Sequence, residues 1–467
     1  MRKAAFSLQF LIIISLLSPV AANATPDESF GSKHDEELKT PRLPSARLFD
    51  RLQSVYKYFS LAPEVESQPF FQDLQGKQNL ENIVQILPYL DPTNSFDRFY
   101  SLQNQKLIVY QDLSVKTVKD YEVELASKGT QEPVKKISDL GTPEKPLAGI
   151  RIAIDPGHMG SDYWDKETGK YIVDHKGHKL SEGVLTLQVA LLLEKELQAL
   201  GAEVFVTRRD FVPVTTLSLN NFDFRAFARE KMRDSNLDNW FQNLLTSTPL
   251  DQEPDDVLYG HFVQSPYIKK MFSEFMRGTY YVQEADVQAR AQNINLFKPD
   301  IALMIHFDAA IQVKDPQGIN SRHFDRTKAY VLGGFAFDEM GTREARRNFG
   351  RVLLNRQTWE SSLGLARSIV ASFDTNMGIG PDSGHDASNI NVEKGVIARN
   401  LEIIRLIEAQ ASSLVECLYY NDPQEFDALL AQDHFMTIGG NSYSYSNRLI
   451  QVVQSLRDGV TNFVNSL

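Results

Sequence analysis

Cysteine is nearly absent. The chain of 467 residues holds one, Cys417, which excludes an intrachain disulfide and any site built from several thiolates. A bound metal would therefore draw its ligands from the 9 His and the carboxylates. Positive charge is also scarce: 49 Lys+Arg stand against 60 Asp+Glu, for a net charge of −11. That balance argues against a phosphate-neutralising surface, and so against nucleic acid as a partner. Beyond the N-terminus no stretch approaches the run of about 20 apolar residues that a membrane-spanning helix needs. Internal repeats and low-complexity blocks are missing too. What is present, 42% hydrophobic and 23% charged residues, is an ordinary folding composition.

The start of the chain reads as an address. Arg2 and Lys3 precede a short apolar run from Phe10 to Val20, and Ala22-Asn23-Ala24 offers a small-x-small cleavage site before Thr25. This pattern predicts a signal peptide over residues 1–24 and an exported protein, periplasmic in a cell with two membranes, with no membrane span left after cleavage. Residues 25–45, with Pro26, Pro41 and Pro44, read as a flexible leader. Helical spacing from Ala46 to Phe59 and over Leu80 to Leu90, then alternation from Val115 to Leu125, predicts a small N-terminal α+β unit over 46–127. Lys128 to Leu147, rich in Gly and Pro, reads as a linker.

From residue 148 to 467 strands alternate with helices, which predicts an α/β domain with a central, mostly parallel sheet flanked by helices. The expected strands are Ile150 to Ile154, Glu203 to Thr207, Ile301 to Ile305, Ala329 to Leu332 and Ser413 to Glu416. Helical stretches fall at Val184 to Leu200, closed by Gly201, and at Val282 to Phe297, Trp359 to Phe373 and Asn447 to Leu467. Two stretches, about 212–281 and 311–361, look like insertions.

Chemistry-bearing residues fall at the ends of these elements. His158 follows the first strand in Asp155-Pro156-Gly157-His158, Glu182 opens the Val184 helix after Ser181 as its N-cap, and His306 closes the strand Ile301 to Ile305. In open α/β sheets ligands gather beyond the carboxyl ends of the strands. Two histidines and one carboxylate with a free fourth position form a catalytic zinc set. Glu416, at the end of Ser413-Leu414-Val415, adds a carboxylate placed to take a proton from the attacking water and return it to a leaving amine. Each residue alone has a structural explanation as a cap or a salt-bridge partner. Their common placement in one domain is what points to a site.

The stretches that carry these residues resemble the zinc-dependent N-acetylmuramoyl-L-alanine amidases of the amidase-3 type, bacterial cell-wall enzymes. Ile152 to His158 (IAIDPGH) is similar to the opening strand and first ligand. Leu180-Ser181-Glu182, followed by Leu187, Val189 and Ala190, resembles the glutamate ligand and its helix, and GAEVFVTRRD from Gly201 the next strand. Arg290, Asn295 and Asp300 to Ala309 resemble the segment of the second histidine, and Arg399 to Arg405 with Ser413 to Glu416 the segment of the catalytic glutamate. The resemblance extends from about 148 to 467. It implies an amidase-3-like fold and hydrolysis of the amide between N-acetylmuramic acid and L-alanine in peptidoglycan. His158, Glu182 and His306 would hold Zn2+, and Glu416 would be the general base and acid. Met304, Asp308 and the position of Asn421 depart from the family pattern.

Related enzymes can be held inactive by an inserted helix until a protein activator releases them. Glu339 or Glu344, in the second insertion, is the expected autoinhibitory acid. His175 and His178 read as a solvent-facing loop rather than a second metal pair. His385-Asp386 with Ser383 or Ser388 lacks the G-x-S-x-G elbow of a serine hydrolase, and Cys417 reads as a buried strand residue. Two other functions stay open on sequence: a non-catalytic wall-binding or regulatory protein on the same fold, and a zinc peptidase cutting the stem peptide.

Overall fold

In the computed structural model the described residues are 80–91, 100–110, 119–125, 141–224, 276–309, 325–335, 343–354, 356–382 and 390–467. The expected signal peptide, leader and Ala46–Phe59 helix lie outside them, as do Glu339, the 383–389 stretch, most of the first insertion and parts of the second.

The N-terminal unit consists of helix α1 (Leu80–Leu90) and an antiparallel sheet of β1 (Tyr100–Gln103), β2 (Lys106–Tyr110) and β3 (Lys119–Glu124). The larger unit follows with β4 (Arg151–Pro156), α2 (Ser161–Thr168), the hairpin β5 (Tyr171–Val173) and β6 (Lys179–Ser181), α3 (Glu182–Ala199) and β7 (Glu203–Val206). A short helical turn, Arg277–Tyr280, and a π-helical turn, Tyr281–Asp286, lead into α4 (Val287–Phe297). Then come β8 (Ile301–Asp308), β9 (Lys328–Leu332), α5 (Arg343–Leu354), α6 (Arg356–Met377), β10 (Ile390–Glu393), β11 (Val396–Arg399), α7 (Glu402–Leu406) and β12 (Ala411–Tyr419). The chain closes with α8 (Pro423–Leu430), the hairpin β13 (His434–Ile438) and β14 (Asn441–Tyr445), and α9 (Asn447–Asn465).

The central sheet has the order β10-β11-β9-β12-β8-β4-β7. Neighbours are parallel except at β9–β12 and at the β10–β11 edge hairpin. It is the mostly parallel sheet flanked by helices that the alternating pattern predicts, two strands wider than expected. The additions are β10 and β11, joined through Gly395 at φ +75°, a left-handed conformation that favours glycine.

Strand alternation assigns the two faces. Ile152, Ile154, Leu303, Ile305 and Val415 share a core with α3, α6 and α9, while Ala153, Ala302, Met304 and Leu414 face α4 and α7. With both faces covered, β4, β8 and β12 read as near-continuous apolar runs. Helix α3 ends at Gly201, whose φ of +100° stops it as expected.

The N-terminal unit docks on the larger one. Ile83, Ile86, Leu90, Leu107 and Val109 share a buried cluster with Ala329, Val331, Phe349, Leu353 and Trp359. The carbonyls of Tyr89 and Leu90 accept hydrogen bonds from Gly334 and Phe335 at 2.8 and 3.1 Å. Helix α5 in the second insertion is thus core at Phe349, Leu353 and Leu354, where each full burial contributes about 1.5–3 kcal/mol. Among the described residues no helix is long and apolar enough to cross a membrane.

A carboxylate pair next to α8 gives the fold a pH dependence. Buried Asp325 accepts a hydrogen bond from Tyr419 N at 3.2 Å and faces Glu425, with Arg448 alongside. Burial, then the Glu425 charge, pushes Asp325 up to about 8. Unfolded, an Asp titrates near ~3.9, so between there and about 8 the folded chain binds the extra proton. Stability from this group is present below the unfolded value and is lost as pH rises toward the folded one. Thermal unfolding of wild type should show a midpoint that falls as pH rises from 5 to 8. Asp325→Asn, which keeps the acceptor for Tyr419, should flatten that slope and be the more stable protein at pH 8. An unchanged slope would rule Asp325 out as its source.

Candidate metal centre

Glycine and proline place the first histidine. Strand β4 stops at Pro156, and Gly157 N donates to Ile305 O at 2.8 Å, tying the turn to β8. The next residue, His158, adopts φ +54°, a left-handed conformation that costs a non-glycine residue about 1–3 kcal/mol. Two buried arginines hold it there. Arg208 Nη2 donates to His158 O at 2.7 Å, Gly157 O at 3.2 Å and Gly183 O at 3.3 Å. Arg290 Nη1 donates to Pro156 O at 3.1 Å and Nη2 to His158 O at 3.4 Å, while its Nε bonds Asp286 at 2.6 Å. Asp286 stands at the end of the π-helical turn and also accepts Val214 N at 2.5 Å. Arg290 is compensated by its ion pair with Asp286, whereas Arg208 is held by carbonyl oxygens alone and its buried Nε has no hydrogen-bond partner.

Glu182 begins α3 and is 2% exposed. Ser181 occupies the N-cap position, as expected, but its hydroxyl makes no cap. It donates instead to Asp165 at 2.6 Å, the stronger acceptor. His306 follows Ala302 and Met304 on one face of β8 and packs edge-on to His158, ring centroids 4.8 Å apart. Glu182 Oε1 lies 3.2 Å from His158 Nε2 and 3.4 Å from His306 Nδ1, and accepts Phe307 N at 3.2 Å. One ligand atom from each of His158, Glu182 and His306 lies within 4.8 Å of the others. Among the described residues this is the cluster able to hold a metal ion.

The protonation states suit that task. Burial lowers His158 to about 3, which keeps its imidazole neutral and its lone pair available. Burial opposes ionisation of Glu182, but the Lys170 charge and the hydrogen bonds of the His158 and His306 rings hold its carboxyl well below the ordinary value, leaving an anionic ligand. Two imidazole nitrogens and one carboxylate oxygen match the preferences of zinc.

Glu416 pairs in register with His306 on one side and with Lys328 on the other, so the three form a row across β8, β12 and β9. It does not end its strand as expected: β12 runs on through buried Cys417 and Leu418 to Tyr419. Glu416 Oε2 is buried without a hydrogen-bond partner. Burial, then the charges of Asp308 and Glu182, raises Glu416 well above the ordinary carboxylate value. A divalent cation at the three ligands would act in the opposite direction. Lys328 is bonded to Asp308, to Asp382 at 3.3 Å and to the Tyr419 hydroxyl at 3.2 Å.

Other candidates fall elsewhere. His175 and His178 are exposed, and His178 Nδ1 lies 2.9 Å from Asp174, outside the ligand cluster. Cys417 is buried, its thiol pushed well up by burial, so it is no nucleophile. Arg405 bonds Asn400 at 3.0 Å. Of the expected autoinhibitory acids, Glu339 lies outside the described residues and Glu344 falls on α5. Sequence reasoning gave Arg208, Lys170 and Lys328 no role, because their polar context reads as surface.

No family model matches the chain. Solved structures similar to it include N-acetylmuramoyl-L-alanine amidases. One is Ami1 from Mycobacterium smegmatis, with 14% identity and a TM-score of 0.35 over 68% of this chain and 99% of that one. Another is the CwlD amidase from Clostridioides difficile, solved with the GerS lipoprotein, with 11% identity and a TM-score of 0.34 over 68% and 100%. Among curated proteins the chain is similar to the probable cell wall amidase LytH of Staphylococcus aureus, 33% identical over 110 residues. That match covers 24% of this chain and 34% of the relative, so the chain spans about a third of the length of the curated relatives it matches.

Proposed function

We propose that the protein is a zinc-dependent N-acetylmuramoyl-L-alanine amidase that cleaves the amide between the lactyl group of N-acetylmuramic acid and L-alanine in peptidoglycan. The observation that carries this reading is the convergence of His158, Glu182 and His306 within 4.8 Å, beside a buried carboxylate, Glu416, with an unpartnered oxygen. The donor set fits zinc, and His158, Glu182 and His306 would hold it. When bound, zinc would polarise the scissile carbonyl and bring the pKa of water toward ~7. Glu416 takes the proton of the attacking water and hands it to the departing amine of L-alanine. Phe307 N orients Glu182, while Arg208 and Arg290 fix the backbone that presents His158.

The wider reading places the enzyme outside the cytoplasm, delivered by a signal peptide over 1–24, where it remodels the wall during growth or cell separation. The proposed domains are 46–127, of unassigned role, and the catalytic unit 148–467. Autoinhibition by Glu339 or Glu344, relieved by a protein activator, belongs to the same reading. Because α5 supplies core residues, Glu339→Gln and Glu344→Gln test it better than deletion of the insertion: a rise in basal hydrolysis supports a plug, and unchanged hydrolysis removes it.

The main test uses purified wall and product analysis. Dye release from labelled peptidoglycan should be abolished by chelator and restored by Zn2+. Mass spectrometry should show intact stem peptides with a free L-alanine amine and glycan strands with a free lactyl carboxylate. Cleavage within the stem peptide would mark a peptidase instead, and binding without release a non-catalytic wall protein.

A further inference from the structure

We propose that Lys170 is a positioning residue for Glu182, holding one carboxylate oxygen aside so that the other alone faces the two imidazoles. This rests on the metal-centre reading above. Its observations are the contacts at the two carboxylate oxygens. Oε1 faces His158, His306 and the Phe307 amide, at 3.2, 3.4 and 3.2 Å. Oε2 faces away, 3.8 Å from Lys170 Nζ.

The backbone reinforces the side chain. Lys170 O accepts Glu182 N at 3.0 Å, so both the main chain and the ammonium of Lys170 engage the same residue. The chain reaches this position through Gly169, whose φ of +68° ends α2 and turns back toward β5, which pairs with β6 immediately before Glu182. The side chains of Lys170 and Glu182 are 15% and 3% exposed, so water competes weakly for the pair. A polar loop residue is thereby built into the base of the site.

The consequence is in coordination number. A carboxylate can ligate through one oxygen or two. With Oε2 directed at the ammonium, Glu182 offers Oε1 alone, and three protein donors leave a place for water and substrate. Tighter metal binding is not what Lys170 provides, because a cation near a dication repels it. Its contribution is to keep the carboxylate from turning and filling the open place.

Cobalt(II) reports this directly, since its visible bands are strongest in four-coordinate sites, weaker in five-coordinate ones and weakest in six-coordinate ones. The full chain loaded with Co2+ is compared as wild type, Lys170→Met and Lys170→Arg. We expect the intense spectrum in wild type and Lys170→Arg, and a several-fold loss of band intensity in Lys170→Met at full occupancy. The zinc-loaded Lys170→Met protein should lose turnover by about 10–100-fold, in kcat rather than KM. Should Lys170→Met fail to fold, Lys170→Gln gives the same comparison. A neutral variant with the wild-type spectrum and kcat overturns the positioning role. A wild-type protein that takes up no Co2+ overturns the metal centre itself, a distinct outcome.

Discussion

Glu416→Gln is expected to retain zinc and lose turnover by about 10²–10⁴-fold, the range for removing a positioned general base and acid. The side chain lies opposite His306 in register but is not one of the clustered ligands, so its amide isostere leaves those donors in place. What changes is proton transfer. The buried, unpartnered Oε2 is the oxygen available to receive a proton, and an amide nitrogen at that position cannot take one. The amide also lacks charge, so the repulsion that Glu416 feels from Asp308 and Glu182 disappears. The variant should therefore fold at least as stably as wild type. Metal content and dye release, measured on the same preparation, separate the effects. His158→Ala is the contrasting control, since losing a ligand lowers both. Metal loss in Glu416→Gln would mean that Glu416 is a ligand, and unchanged turnover would remove it from the chemistry.

The elements most legible in sequence are those buried on both faces. IAIDP and IALMI are unbroken apolar runs because helices cover β4 and β8 on each side. The first ends just before His158, whereas His306 does not close its strand as expected, since β8 runs on through buried Phe307 to Asp308. The chemistry was legible at the same points, because a histidine or glutamate at such a break has few structural uses shared by three elements at once. Strands β10 and β11 were not legible: four residues each are too few to show a period, and they owe their structure to pairing with one another and with β9. The supports of the site were hidden for a different reason. Arg208, Arg290 and Lys170 are charged residues, which composition assigns to the surface, yet each is directed inward: Arg208 by the carbonyls around His158, Arg290 by Pro156 O, 134 residues away, and Lys170 by Glu182 across the β5–β6 hairpin. From its place alone Ser181 reads as a cap, whereas Asp165, brought alongside by the fold, takes its hydroxyl.

Gly157→Ala should strip the metal from a protein that still folds. A Cβ added at Gly157 would stand 2.4 Å from both Cε1 and Nε2 of His306, far inside van der Waals contact. The neighbour that must yield is a side chain rather than backbone, so the chain can relax by swinging the imidazole away from Glu182 Oε1. Relief of the clash would thus displace one of the three proposed ligands, and the cost would fall on metal affinity more than on folding. Gly183 offers the opposite case. There an added Cβ would meet the backbone of Met159 and Gly160 at 2.3 and 2.4 Å, atoms that cannot rotate aside, so Gly183→Ala should lower the unfolding midpoint as well. Zinc content, hydrolysis and thermal unfolding of the two variants form one experiment. We expect Gly157→Ala to lose zinc and turnover at nearly wild-type stability, and Gly183→Ala to lose stability too. Full zinc occupancy in Gly157→Ala would show that the added methyl is accommodated without displacing His306 from the metal, and would overturn the proposed role of Gly157 in making room for that ring.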